Sequence, residues 1–133
     1  MTLKTIHPEG WKTAKGYANG MSAAAGETIY VGGQIGWNAD QVFETQDFIG
    51  QFEQTLTNVL AVVEAAGGKA EHIARLTWFI TNKKEYLARQ QECGAAYRRV
   101  MGRHFPAMSV VEVMSLMEDD AQIEIEATAI VPL

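Results

Sequence analysis

Between residues 48 and 66, apolar side chains recur at Phe48, Phe52, Leu56, Val59, Leu60 and Val63, in steps of three and four. Such spacing lines one face of a helix, and that face calls for burial. Asp47 stands where an N-cap belongs, and Gly67 lies just past the end, where a left-handed residue closes a helix. The stretch "NKKE" at 82–85 has the form of a capping box. Asn82 would cap the first turn and Glu85 would reach back to it. A second helix then runs to about Met101, with Tyr86, Cys93, Tyr97 and Val100 on its inner face, and Gly102 stops it.

Elsewhere the period is two. The closing run "QIEIEATAIV" alternates strictly: Ile123, Ile125, Ala127, Ala129 and Val131 point one way, while Gln122, Glu124, Glu126 and Thr128 point the other. Residues 28–33, 73–80 and 107–114 also read as strands, rich in β-branched and aromatic types. "YANGMS" at 17–22 predicts a shorter strand or turn, and "QIGWNADQVFET" at 34–45 a loop holding Trp37. The order β, β, α, β, α, β, β over 133 residues predicts an α+β fold in a single domain, 1–133. One sheet would carry both helices on one face.

The other sheet face is too apolar to stand in water. If Ala74, Leu76, Trp78 and Ile80 meet the helices, then Ile73, Arg75, Thr77 and Phe79 face away; the reverse choice sends Trp78 there. The strand after Pro106 splits similarly, with Val110, Glu112 and Met114 on one face and Ser109, Val111 and Val113 on the other. A second copy of the chain is the expected cover, so a homo-oligomer is predicted. Carboxylates near such an interface lose water, which raises their pKa unless a cation opposes it. Glu124 and Glu126 are the candidates for proton transfer; solvated strand residues or intersubunit ion pairs are the plainer alternative.

Charge and rare residues narrow the function. Eleven basic against sixteen acidic residues give a net charge of −5. No basic stripe appears beyond Arg98, Arg99 and Arg103, so nucleic acid is not an expected partner. The lone Cys93 reads as a buried helix residue. His7, His72 and His104 are scattered without metal-ligand spacing, so no metal is expected. No apolar run approaches the roughly 20 residues of a membrane span, and the first residues lack an apolar signal core. No membrane association is expected, and the cytoplasm is the expected compartment.

Several segments resemble one family. "HFPAMSVVEV" at 104–113, "IEIEATAIV" at 123–131, "VEAAG" at 63–67, "GGQI" at 32–35 and "GYANG" at 16–20 are similar, in order and rough spacing, to segments of the RidA (YjgF-like) proteins. The resemblance implies a chorismate-mutase-like fold of the trimeric type, with a mixed β-sheet and two helices. It implies homotrimers with three clefts between subunits, and hydrolysis of reactive enamines and imines to a keto compound and ammonia, with no cofactor. It places Tyr17 and Gly33 in the cleft, makes Glu124 the residue that positions the attacking water, and sets Gln90 loosely at the place of a helix asparagine. Val110 stands where some members have cysteine.

One departure matters. Family members that deaminate 2-aminoacrylate grip the substrate carboxylate with an arginine after "FPA"; here that residue is Met108, followed by Ser109. A guanidinium makes two charge-assisted hydrogen bonds to a carboxylate, and a thioether makes none. Leaving such a charge unpaired costs ~2–5 kcal/mol. Small 2-imino acids should then bind poorly unless Arg75, Arg103 or His104 supplies a cation. Met108 would line the cleft and make it more apolar, with Trp37 or Trp78 nearby; packing against a neighbouring subunit is the alternative. Three functions follow in descending order: a RidA-like hydrolase, a trimer that binds a small molecule without chemistry, and an endoribonuclease.

Overall fold

The computed structural model describes residues 3–133. Its elements are β1 (Lys4–Ile6), β2 (Gly20–Ser22), β3 (Glu27–Ile35), α1 (Phe48–Ala65), β4 (Ile73–Ile80), α2 (Lys83–Ala88), α3 (Gln90–Met101), β5 (Ala107–Glu112) and β6 (Ile123–Val131). β1 and β2 form a small antiparallel ribbon, and the other strands form a four-stranded sheet in the order β3-β6-β4-β5. The sheet is mixed. β4 and β5 run parallel, joined by the helical crossover, while β6 is antiparallel to both its neighbours. This is the chorismate-mutase-like α+β fold, with its two main helices on one face.

α1 begins and ends as its sequence implies. The Asp47 carboxylate accepts from the Gly50 N–H at 3.2 Å, and Gly67 takes φ +87°. Phe48, Phe52, Leu56, Val59 and Val63 are buried, and Leu60 is half-buried. They meet the inner face of β6, where Ile123, Ile125, Ala127, Ala129 and Val131 are all buried.

Four expectations need correction. A strand at Lys4–Ile6 pairs with β2, where the sequence offered no alternation. The second helix is two, broken at Arg89 (φ −121°, ψ 31°). Asn82 does cap α2, accepting from the Glu85 N–H at 3.0 Å, but the Glu85 carboxylate turns to Arg89 instead, at 3.5 Å. Arg89 also binds Asp47 at 2.7 Å and Glu92 at 2.8 Å. One guanidinium thus ties the start of α1 to the break. Finally, the strand after Pro106 ends at Glu112, leaving Met114 outside it and fully exposed.

The faces of β4 are settled by an irregularity between Ile73 and Arg75. One extra residue there shifts the alternation. Ile73 therefore joins the core together with Leu76, Trp78 and Ile80, while Arg75, Thr77 and Phe79 face away. The aromatic on the far face is Phe79, accompanied by Tyr30, which is 80% exposed, and Val111.

A buried glutamine holds the loops that flank the sheet. Gln51 is wholly buried; its amide donates to the carbonyls of Asp120 (2.8 Å) and Thr45 (3.2 Å) and accepts from the Gln122 N–H (2.8 Å). Gly36, just past β3, packs on its backbone: a Cβ there would lie 2.9 Å from both Gln51 Cα and Gln51 O.

Candidate functional site

Between α3 and the β5 edge of the sheet lies a cavity of about 560 Å³. The "HFPAM" segment forms one wall. Ala18 donates to Pro106 O at 2.9 Å and bridges to Ala107, which holds the "GYANG" segment over the start of β5 and brings Tyr17 to the rim. Met108, opposite Leu76 on the parallel strand, is half-buried and packs on the core while lining the cavity. Gln90, the first residue of α3, stands at the other side.

The deeper walls are aromatic. Trp78 packs edge-on to Tyr86 with centroids 6.1 Å apart, and Tyr97 stacks on Phe105 at 5.4 Å. The Tyr97 hydroxyl donates to His104 O at 2.6 Å, and burial pushes its phenol pKa upward. Burial chiefly raises Tyr86 too. The Cys93 thiol, in the cavity lining, is pushed up to about 12 by burial, with the Arg89 charge opposing. At neutral pH it stays protonated and is no nucleophile. The Trp78 indole N–H is buried with no hydrogen-bond partner.

Gly33 and Glu124 lie elsewhere, on the open sheet face. Glu124 is opposite Phe79 on β4. β3 is irregular between Val31 and Gln34, and the bare backbone of Gly33 faces the Glu124 carboxylate: a Cβ built on Gly33 would fall onto that carboxylate, 2.8 Å from Cδ. The glycine therefore both sits in the irregular stretch and makes room for the acid.

Of the six residues singled out in sequence, the fold gathers Tyr17, Gln90 and Met108 in the cavity. It puts Gly33 and Glu124 together on the opposite face. Ser109 is exposed on that same far face, opposite Thr77, because its neighbour Met108 points inward. Trp37 does not reach the cavity. It packs on Phe43 at 5.8 Å, and Asn58 holds its carbonyl at 2.7 Å. Nor do the three expected substitute cations: Arg75 faces away beside Glu126, Arg103 is exposed in the turn after α3, and His104 Nε2 is 2.6 Å from Ile73 O. The cavity's cations are Lys15 and Arg98 instead. Helical spacing was the missed signal: from Gln90, steps of four reach Gly94 and Arg98, both in the wall.

Among the described residues no cluster of three or more His, Cys, Asp or Glu is placed to hold a metal ion, and no helix is long and apolar enough to cross a membrane.

The family model for endoribonuclease L-PSP matches residues 9–131. The 2-iminobutanoate/2-iminopropanoate deaminase of Escherichia coli K12 is 37% identical over 131 residues, covering 96% of this chain and 97% of that protein. The crystal structure of a Rid-family protein of unknown function, YyfB from Yersinia pestis, superposes with a TM-score of 0.87 at 29% identity, covering 98% of this chain and all of that one. The yjgF gene product of E. coli superposes at 0.68 with 37% identity, covering 96% and 98%. The chain belongs to the endoribonuclease L-PSP family, the RidA/YjgF proteins.

Proposed function

We propose that the protein is an imine or enamine hydrolase that works as a homotrimer, with a cleft at each of three subunit boundaries. The observation that carries this proposal is the 37% identity, over nearly the whole chain, to an imine deaminase. The geometry supplies the reason for assembly. Within one chain, Glu124 and the cavity of Tyr17, Gln90 and Met108 lie on opposite faces of the sheet. Neither is a complete site. A neighbouring copy that covers the apolar far face, with its Tyr30, Phe79 and Val111, would carry one subunit's Glu124 to another's cavity.

The chemistry then needs few groups. Glu124 accepts a hydrogen bond from a water and takes its proton as the oxygen attacks the C=N carbon. Nitrogen takes a proton from solvent as the oxygen attacks, giving the neutral carbinolamine. Glu124 then passes its proton to that nitrogen, and the C–N bond breaks as the hydroxyl oxygen releases its own proton to solvent and becomes the carbonyl oxygen, so that ammonia leaves. An enamine first tautomerises to the imine by taking a proton on carbon. Water plus imine thus balances to a keto compound plus ammonia. With Met108 in place of a carboxylate-gripping arginine, 2-aminoacrylate-type substrates are disfavoured.

Ammonia release from freshly generated imines tests the proposal. Wild type should outpace Glu124→Ala by at least tenfold; equal rates would remove Glu124 from the mechanism. Met108 also favours a second reading, a trimer that binds a small molecule without turnover. Saturable binding with no ammonia from any imine would select it.

A further inference from the structure

We infer that Arg98, assisted by Lys15, replaces the missing guanidinium, and that the cavity takes a carboxylate carried on an aromatic or bulky apolar body. This deepens the proposed function and rests on the cavity being its substrate site.

The charges around the cavity point to an anion. Among the described residues Lys15 and Arg98 are its only charged lining residues, and no Asp or Glu joins them, in a chain whose net charge is −5. Arg98 stands out against its neighbours. Arg99 grips Glu53 at 2.7 Å, and Arg89 grips Asp47 at 2.7 Å, whereas Arg98 has no carboxylate partner among the described residues. Its guanidinium lies back over Gly94, one turn earlier, where a Cβ would come within 3.4 Å of Nη1. Glycine in mid-helix costs stability, and here it leaves the cation open to the cavity. A guanidinium so placed can fork onto a carboxylate.

The walls fix the rest of the ligand. Trp78, Tyr86, Tyr97 and Phe105 present ring surface, and Met108 and Val110 add aliphatic surface. The cavity, at about 560 Å³, falls within the size range of sites for ring-bearing ligands. A three-carbon imino acid would leave most of it unfilled and most of its apolar wall in water. The unpartnered Trp78 N–H is a further unmet donor in the same wall. The substrate class is therefore the imine of a large apolar or aromatic 2-keto acid, its carboxylate on Arg98 and its side chain among the rings.

Phenylpyruvate, the stable keto product of such an imine, is a direct probe. Binding is read by calorimetry and by quenching of tryptophan fluorescence, beside pyruvate and the neutral phenylpyruvate methyl ester. Phenylpyruvate should bind at least tenfold tighter than either. Arg98→Gln should weaken it about ten- to a hundredfold, and Arg98→Lys less. Arg99→Gln, whose native partner is Glu53, should leave the Kd unchanged. An unchanged Kd in Arg98→Gln, or an ester that binds as well as the acid, overturns the inference. Normal binding without ammonia release from any imine would sink only the hydrolase. Ammonia release from small imines without phenylpyruvate binding would sink only the assignment of Arg98.

Discussion

Gly33 and Glu124 form a matched pair: the acid lies where a side chain on the glycine would be. The atom that would clash is the far end of a flexible side chain, so the fold can absorb a methyl group there, but the carboxylate cannot stay in place. Gly33→Ala should fold with less than about 1 kcal/mol lost, because Glu124 rotates away at little cost. Its ammonia release should drop on the order of a hundredfold, since a shift of about 1 Å in a catalytic group can cost that much. Urea unfolding and turnover of the same preparation check both halves. Full activity in Gly33→Ala would show that this placement of Glu124 is not the working one.

Gly36 offers the opposite case. Its added Cβ would meet the backbone of Gln51, not a side-chain end, and helix α1 cannot yield there. Gly36→Ala should cost about 2 kcal/mol or more, read from the midpoint of urea unfolding. Gln51→Leu should do similar damage by stripping partners from Thr45 O, Asp120 O and the Gln122 N–H.

These contrasts mark what the sequence made legible. Periodicity placed α1, β6 and the inward residues of both, because burial imposes a repeat that composition displays. The caps at Asp47 and Asn82 were legible for the same local reason. The break at Arg89 was not: no proline or glycine marks it, and it depends on a guanidinium bound to Asp47, distant in sequence. The irregularity in β4 leaves no local signature either, so the side of Ile73 stayed open, whereas Gly32 and Gly33 mark the one in β3. Met108 was found by resemblance, whereas Arg98 was seen only as part of a basic pair. Steps of four from Gln90 put it on one helical stripe with Gly94, and the packing of α3 turns that stripe to the cavity.

The Arg89 hub predicts a pH signature. Its hydrogen bond holds the Asp47 carboxyl below the ordinary range, with burial opposing and the Gly50 N–H assisting. A depressed folded pKa gives stability that is present above the unfolded value, near pH 4, and is lost as pH falls through the lower folded value. Asp47→Ala should therefore cost about 1 kcal/mol at pH 7, mostly as the lost helix cap. The gap to wild type should close as the pH drops below about 4. Urea midpoints measured from pH 7 to pH 2.5 test this; a gap that stays constant would show that the carboxylate's charge contributes nothing.

Placing at Met108 the arginine that the resemblance implies there tests how much machinery surrounds this position. Met108→Arg puts a guanidinium on β5 facing the aromatic walls, with no acidic residue among those lining the cavity to neutralise it. Ammonia release from 2-aminoacrylate should rise at least tenfold, since the small carboxylate gains a second charge-assisted pair, on β5, beside that of Arg98. No gain at all, in a variant that still folds, would mean that the small substrate fails for a reason other than Met108.

The split site makes the assembly itself testable. If Glu124 serves a neighbour's cavity, two differently disabled subunits can rescue one another. Glu124→Ala removes the acid and leaves the cavity. Gly94→Phe fills the cavity with a ring, at a helix position where glycine is the weaker former, and leaves the acid. Each variant alone should be inactive. In that arrangement each cleft would draw one half from each of two adjoining subunits. Random mixing at equal amounts therefore leaves the chance of two intact halves at one half times one half, so the co-refolded mixture should recover roughly a quarter of wild-type turnover. Sedimentation of the same sample should give the mass of three chains. If both halves of the site came from a single chain, no mixture could contain an intact one, and turnover would stay at the level of the separate variants.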